Sequence, residues 1–122
     1  MRTTELRVGN WIEQSGCHYQ LDENSLIDML DYWKVHKKCL HSSVPLTKEW
    51  LLKFGFESLL RGGFYRFDEY FRTEPCFSLR YYREEKEFCF DIGDGGIIIE
   101  HVHQLQNLYF IVTGEELILK SL

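Results

Sequence analysis

The fold is decided by the stretch EHVHQLQNLYFIVTGEELILK, residues Glu100 to Lys120. Gly114 lies where a helix would end, because glycine readily takes the left-handed conformation that closes one. A short apolar run, Leu117 to Leu119, follows and reads as a strand. Before Gly114, apolar side chains recur at the three- and four-residue spacing of a helix with one buried face. They are Val102, Leu105, Leu108, Tyr109 and Val112.

Upstream of this helix the apolar period changes to two, which predicts strands. Turn-forming residues separate four runs, Phe64 to Phe71, Cys76 to Tyr82, Glu87 to Ile92 and Ile97 to Ile99. We expect an antiparallel meander with one apolar face covered by the C-terminal helix, which makes this half of the chain α+β. The side chains predicted to face that helix are Tyr65, Phe67, Phe71, Phe77, Leu79, Tyr81, Phe88, Phe90 and Ile92.

The opposite face of the meander is the first candidate binding surface. Alternation assigns to it Arg66, Asp68, Tyr70, Arg72, Ser78, Arg80, Tyr82, Glu87, Cys89 and Asp91. Arginine beside tyrosine can stack on unpaired bases and contact phosphates, or form a hot spot against a protein. The alternative is a solvated face on which the arginines pair with carboxylates across the strands.

The sequence of the first 43 residues predicts a small β-unit, followed by a segment that fits either a helix or a further strand and then by a loop. Leu6 to Ile12 reads as a strand kinked at Gly9 and Asn10, with Cys17 to Leu21 as its hairpin partner. Asp22 to Trp33 fits a helix better than a further strand. Lys34 to Ser43 is basic and without period, which predicts a loop.

The segment PLTKEWLLKFGF, residues Pro45 to Phe56, predicts a short helix over Lys48 to Phe54. Thr47 is placed to accept a backbone N–H at its start, and Gly55 to end it. The whole chain of 122 residues, 44% of them apolar, therefore predicts one α+β domain spanning residues 1–122. Residues 1–43 form its β-unit with the basic loop, and residues 44–122 form its helix, sheet, helix and final strand.

Charge and targeting signals narrow the class of partner. A net charge of −5 disfavours wholesale binding to nucleic acid or to an anionic membrane, although it permits a local basic patch. The chain has neither a signal-peptide pattern nor an apolar run of membrane-spanning length, so we expect a cytoplasmic protein without a membrane partner. Its four cysteines are widely spaced, which predicts free thiols.

No pattern in the chain indicates catalysis, a cofactor or a small-molecule substrate. A nucleophile requires an adjacent base and a group that orients it, and no serine or cysteine has that context. His36, Cys39 and His41, with His101 and His103, could supply zinc ligands, but their spacing matches no zinc module and we expect no metal. The polar positions of the C-terminal helix, His103, Gln104, Gln106 and Asn107, suggest no chemical role either.

Three segments together resemble an uncharacterised family of small proteins carried by bacterial phages, prophages and mobile elements. They are LRVGNWI at Leu6 to Ile12, PLTKEWLLKFGF at Pro45 to Phe56, and VHQLQNLYFIVTGEEL at Val102 to Leu117. The resemblance covers about a third of the residues across the whole chain. Where the family usually has Pro-Ile-Pro-Leu-Thr, this chain has Ser43 to Thr47.

The resemblance implies an accessory protein that acts on its host's machinery in the cytoplasm of the infected bacterium. Our first hypothesis is a non-enzymatic binder that inhibits a host defence protein, such as an anti-CRISPR that binds an RNA-guided effector nuclease or its guide RNA. Alternatives are an RNA-binding or single-strand-binding module, and a structural or regulatory protein of a phage particle. The candidate partner-binding residues are Lys34, Lys37, Lys38, Arg66, Tyr70, Arg80 and Tyr82.

Overall fold

A computed structural model describes residues 6–36, 42–60, 66–93 and 95–120 of the chain. This part contains three helices, one antiparallel sheet of three strands and one of five, which confirms the α+β class. The elements are β1 (Trp11–Gln14), β2 (Cys17–Gln20), α1 (Glu23–His36), β3 (Ser42–Ser43), α2 (Lys48–Lys53), β4 (Glu57–Leu59), β5 (Phe67–Thr73), β6 (Cys76–Tyr82), β7 (Glu87–Asp91), β8 (Gly96–Ile99) and α3 (Val102–Thr113).

The smaller sheet has the strand order β2-β1-β3 and contains the predicted hairpin. Ser15 and Gly16 join β1 to β2 with positive φ angles of 52° and 81°, the backbone that suits a tight two-residue turn. The first strand begins at Trp11 and not at Leu6. Gly9 has a φ of 96°, and the Asn10 N–H donates to the Arg7 carbonyl, so the chain turns there before it extends.

Helix α1 confirms the helical interpretation of Asp22 to Trp33 and runs on to His36. The Asp22 carboxylate accepts the Ser25 N–H at 2.7 Å, and this backbone hydrogen bond lowers the pKa of Asp22. The predicted loop from Lys34 to Ser43 is therefore wrong at both ends. Lys34 lies within the helix, and Ser42–Ser43 pair with β1 as β3.

Helix α2 follows its predicted start closely. The Thr47 hydroxyl accepts the Trp50 N–H, and Gly55 ends the turn after the helix with a φ of 86°. Trp50, Leu51 and Phe54 are buried as expected. They form part of one core with residues from the larger sheet and from α3.

The larger sheet has the order β4-β5-β6-β7-β8. Its four later strands confirm the predicted meander, and β4 (Glu57–Leu59) adds an edge strand that the sequence did not indicate. All three β4 residues are exposed, so they carry no apolar alternation that would predict a strand.

The predicted orientation of the first meander strand is wrong. Thr73 lies opposite Cys76, which places Arg72 opposite Phe77 and Tyr70 opposite Leu79. Opposite residues share a face of the sheet, so Tyr70, Asp68 and Arg72 face α3, and Phe67 and Phe71 face away from it. Tyr70 and Asp68 are only 3% and 5% exposed. The orientations predicted for β6 and β7 are confirmed, since Phe77, Leu79 and Phe88 are buried, but Ile92 lies beyond the end of β7 and is 58% exposed instead of covered by α3.

The segment after α3 also differs from its prediction. Gly114 ends α3 with a φ of 77°, as expected. Leu117 to Leu119, all within the described residues, do not form a strand. Leu117 is buried in the core, and the Lys120 N–H donates to the Lys53 carbonyl at 2.8 Å. Leu117, the partly buried Leu119 and this backbone bond hold the segment in place of the predicted strand.

Candidate functional site

The candidate site is the face of the larger sheet that points away from α3, called the outer face below. Its members follow from the strand registers, because opposite residues share a face. They are Glu57, Leu59, Phe67, Glu69, Phe71, Thr73, Cys76, Ser78, Arg80, Tyr82, Glu87, Cys89, Asp91, Gly96 and Ile98. None of these side chains is buried, so the face is open to a partner among the described residues.

An aromatic and guanidinium cluster lies on the outer face where β5 begins and β6 ends. The Phe67 and Tyr82 rings are opposite each other, with centroids 5.7 Å apart. The Arg80 guanidinium lies 4.5 Å from the Phe67 ring centroid, a distance that suits a cation–π contact. Aromatic residues beside arginine are the side chains that most often dominate protein interfaces.

The arginine of this cluster is held by its neighbours. Its Nη1 lies 3.6 Å from a carboxylate oxygen of Asp91, so the cross-strand pairing that we considered as the alternative is present at this position. A hydrogen bond with the Tyr82 side chain, and then the Asp91 charge, raise the pKa of Arg80. The guanidinium is therefore charged and oriented before any partner arrives.

The charge of the outer face is negative. Among the described strand residues of this face, Arg80 is the cation, and it is accompanied by the four carboxylates of Glu57, Glu69, Glu87 and Asp91. Glu69 lies directly opposite Arg80, and Cys89 lies opposite it on the other side. This surplus of carboxylates disfavours a phosphate backbone as the ligand.

A shallow depression of about 360 Å³ lies on the outer face beside the turn between β7 and β8. Burial, and then the Asp91 carboxylate, raise the pKa of the Cys89 thiol, which keeps it protonated and unreactive near neutral pH. The residues that line the depression are Arg80, Tyr82, Cys89, Asp91, Gly93, Gly95 and Gly96.

Replacing Gly96 with alanine is expected to lower the free energy of unfolding by about 1–2 kcal/mol, because the added methyl group would overlap Cys89 Sγ. Urea denaturation of the single variants and of the double variant with Cys89→Ala gives the coupling. We expect the double variant to recover most of the loss, since the methyl group then has room. A loss of the same size in both backgrounds would contradict this packing.

The structure brings together only part of the predicted site. Arg80 and Tyr82 lie on the outer face as expected, whereas Tyr70 is buried in the core and its prediction as a surface residue is wrong. Burial, and then the Asp68 charge, raise the pKa of Tyr70. Arg66 is exposed just before β5, and Lys34 is exposed on α1. Lys37 and Lys38 lie outside the described residues.

The residues considered as metal ligands do not assemble in the described part of the chain. That part holds no group of three or more histidine, cysteine, aspartate or glutamate side chains suited to a metal ion. The His101 and His103 rings are stacked with centroids 5.8 Å apart, with His101 at the N-cap of α3 and His103 in its first turn. Cys39 and His41 lie outside the described residues. The described cysteines, Cys17, Cys76 and Cys89, are free thiols, as predicted.

Three polar residues of α3 have structural roles that sequence reasoning missed. The Gln104 side chain accepts the N–H groups of Glu100 and His101 and so caps the start of α3. The buried Gln106 accepts the Trp11 N–H at 2.8 Å and donates to the Gly9 carbonyl at 2.9 Å. The Asn107 side chain accepts a hydrogen bond from Asn10. The hydrogen bonds of Gln106 and Asn107 fasten α3 to the N-terminal segment.

The segments that carry the family resemblance therefore meet in one place. LRVGNWI contacts α3 through these hydrogen bonds, and through Arg7, which pairs with Glu116 and lies 4.8 Å from the Phe110 ring centroid. It contacts PLTKEWLLKFGF through Trp11 and Trp50, whose ring centroids are 5.4 Å apart. These segments thus build the junction between the two halves of the domain, and the outer face lies outside them.

No protein-family model, curated protein or solved structure matches this chain. Among the helices of the described residues, none has both the length and the apolar character needed to cross a bilayer.

Proposed function

We propose that this chain is a non-enzymatic binding protein of the phage or mobile-element type that inhibits a host defence protein by docking on it through the outer face. The observation that carries the proposal is the cluster of Phe67, Arg80 and Tyr82, three partly exposed residues on the outer face. Tyrosine and arginine are enriched among the residues that contribute most of the binding energy of protein interfaces. The resemblance to phage proteins supplies the class of partner, an RNA-guided effector nuclease.

Two features favour a protein partner over RNA. Four carboxylates accompany Arg80 on the outer face, and they would repel phosphates. Tyr70, one of the two tyrosines expected to stack on bases, is only 3% exposed and faces the core. The same carboxylates suit a basic surface, and proteins that bind nucleic acid carry such surfaces.

The test is affinity capture from the natural host by the wild-type protein and by the variants Arg80→Ala and Tyr82→Ala, followed by mass spectrometry of protein and sequencing of RNA. We expect a stoichiometric host protein whose dissociation constant rises at least tenfold in each variant, as is usual for central aromatic and arginine residues. Ile111→Ala, on the exposed side of α3, is the matched control and should bind normally.

Several outcomes would contradict the proposal. Capture of no stoichiometric protein would remove it, and so would equal capture by the wild type and both variants. Recovery of RNA alone, with binding that weakens steeply as salt is added, would favour the nucleic-acid-binding alternative instead. Co-purification with virions would favour a structural protein of the phage particle.

A further inference from the structure

Strand β8 forms one edge of the larger sheet, and no described strand pairs with its outer side. The Ile92 N–H donates to the Gly95 carbonyl at 2.9 Å, so these two residues form a hydrogen-bonded pair. Hydrogen-bonded and non-hydrogen-bonded pairs alternate along the antiparallel ladder between β7 and β8. Ile97 and Ile99 therefore direct their backbone groups towards β7. Gly96 and Ile98 direct theirs away from the sheet, where they offer two N–H donors and two carbonyl acceptors.

The open edge is short and has a defined end. The Leu46 N–H donates to the Glu100 carbonyl at 2.9 Å, and the Val102 N–H donates to the Val44 carbonyl at 2.8 Å. The Glu100 N–H is bonded to the Gln104 side chain. The segment before α2 thus covers the edge from Glu100 onwards, and the open part comprises Gly96, Ile97 and Ile98.

This open edge lacks the features by which proteins usually protect an edge strand. Charged side chains and proline normally discourage pairing with another chain, and β8 contains neither. Its side chains are apolar and accessible instead. Ile97 and Ile98 are 43% and 49% exposed, and the nearby Ile92 is 58% exposed. The edge therefore combines free backbone groups with apolar surface, which is the chemistry of a strand that receives a partner strand.

We propose that β8 pairs in antiparallel fashion with β8 of a second copy of this chain, around a two-fold axis at Ile97. In this register Ile97 lies opposite its own counterpart, and Ile98 lies opposite Gly96 of the second copy. The outward donors and acceptors of Gly96 and Ile98 then satisfy one another reciprocally, with four hydrogen bonds across the axis. The two five-stranded sheets become one continuous sheet.

Three features make a second copy the occupant in preference to an unrelated protein. The paired residues carry no charge, so the symmetric register brings no like charges into opposition. Gly96 and Ile98 both lie on the outer face, so each Ile98 side chain lies across a glycine that has no side chain of its own. The open edge of each copy also matches the segment that would pair with it in length. Both consist of the same three residues, because the hydrogen bond at Glu100 ends the open edge on each copy.

Net charge opposes this association and provides a signature for it. Each copy carries −5, and the repulsion between two copies is screened by salt. Added salt does not weaken apolar contacts and backbone hydrogen bonds as it weakens the repulsion between charges. The dimer should therefore strengthen as salt is added, in contrast to an interface held by ion pairs.

The first experiment is sedimentation velocity of the full chain over a concentration series at low and at moderate salt. We expect a reversible dimer that is favoured by salt and by concentration. Ile98→Lys should weaken it at least tenfold by placing a charge on the paired edge, while Ile111→Lys, at the 77% exposed Ile111 of α3, should leave it unchanged. A wild type that stays monomeric throughout, or a dimer that both variants leave intact, overturns the proposal.

The second experiment tests the register and does not depend on the lysine variant folding. In the dimer of Ile97→Cys the two introduced thiols lie opposite each other, in a pair without backbone hydrogen bonds. The Cα atoms of such a pair are about 4.5 Å apart, a separation that a disulfide can span. Mild oxidation should link position 97 to position 97, identified by mass spectrometry of the linked peptide. Ile98→Cys should not link to itself, because it faces Gly96. A dimer without the 97 to 97 link overturns the register.

Discussion

Replacing Tyr109 with alanine is expected to lower the free energy of unfolding by about 3–5 kcal/mol, the range for removing a large buried ring. Tyr109 is 1% exposed on α3, and its ring centroid lies 5.1 Å from that of Phe77 on β6. The Arg72 guanidinium lies 5.6 Å from the same ring, while its Nη1 donates to the Phe54 carbonyl at 3.3 Å. The ring thus joins α3, the sheet and the end of α2. Urea denaturation followed by far-ultraviolet circular dichroism measures the loss.

Ile111 provides the matched control on the same helix. It is 77% exposed two residues after Tyr109, so Ile111→Ala should change the free energy of unfolding by no more than about 0.5 kcal/mol. Similar losses in the two variants would contradict the core role of Tyr109, because alanine favours a helix more than either residue it replaces and helix propensity cannot cause a loss. A small loss in Tyr109→Ala alone would mean that α3 does not cover the inner face of the sheet.

The arrangement of elements could largely be predicted, because it depends on patterns that extend over many residues. The helical period of α3, the hairpin at Ser15 and Gly16, and the Thr47 cap of α2 all carry their own local signals. Strand β4 could not be found, because three exposed residues contain no period. Leu117 to Leu119 misled the prediction, because one buried leucine between exposed neighbours resembles a strand that the sheet does not continue.

The orientation of β5 shows that a single turn can decide which side chains of a strand lie on each face of the sheet. Aromatic residues occupy both faces of this strand, with Phe67 and Phe71 on one and Tyr70 on the other, so alternation alone cannot choose between them. The turn at Glu74 and Pro75 decides the matter, since a two-residue turn places Thr73 opposite Cys76 and therefore Tyr70 on the same face as Leu79. Counting the register back from that turn would have assigned Tyr70 to the core.

The same correction changes what the candidate site can bind. The predicted face had five arginine or tyrosine residues, Arg66, Tyr70, Arg72, Arg80 and Tyr82, which suggested nucleic acid or a protein hot spot. The outer face has Phe67, Phe71 and Glu69 from β5 instead, so it is more aromatic and more acidic than predicted. This composition suits a protein partner with a basic rim, whose arginine and lysine side chains would meet the carboxylates around Arg80.

The polar residues of α3 could not be understood from the helix alone, because their partners lie about a hundred positions away in the sequence. Gln106 and Asn107 bond to the segment from Gly9 to Trp11, and nothing in helical spacing indicates a contact of that range. The contact between these two segments becomes visible only in the fold.

Replacing Gln106 with leucine is expected to lower the free energy of unfolding by about 2–3 kcal/mol, although the two side chains are similar in size. Gln106 is 1% exposed, and its Oε1 accepts the Trp11 N–H that points away from the hairpin partner of β1. Leucine cannot accept this bond, so the amide would lose its partner next to the core. Urea denaturation gives the energy, and amide hydrogen exchange at Trp11 should become markedly faster than in the wild type.

The control removes the other side-chain hydrogen bond to the Gly9 carbonyl, which also accepts from Gln106. Gln20 is exposed and donates to the Gly9 carbonyl at 3.0 Å, beside the bond from Gln106. Gln20→Leu therefore removes a bond of the same type from the surface, and we expect a change of no more than about 0.5 kcal/mol with normal exchange at Trp11. A large loss in Gln106→Leu without faster exchange at Trp11 would place the effect elsewhere in the core. Faster exchange with an unchanged stability would show that α3 holds the N-terminal segment without depending on it for its own folding.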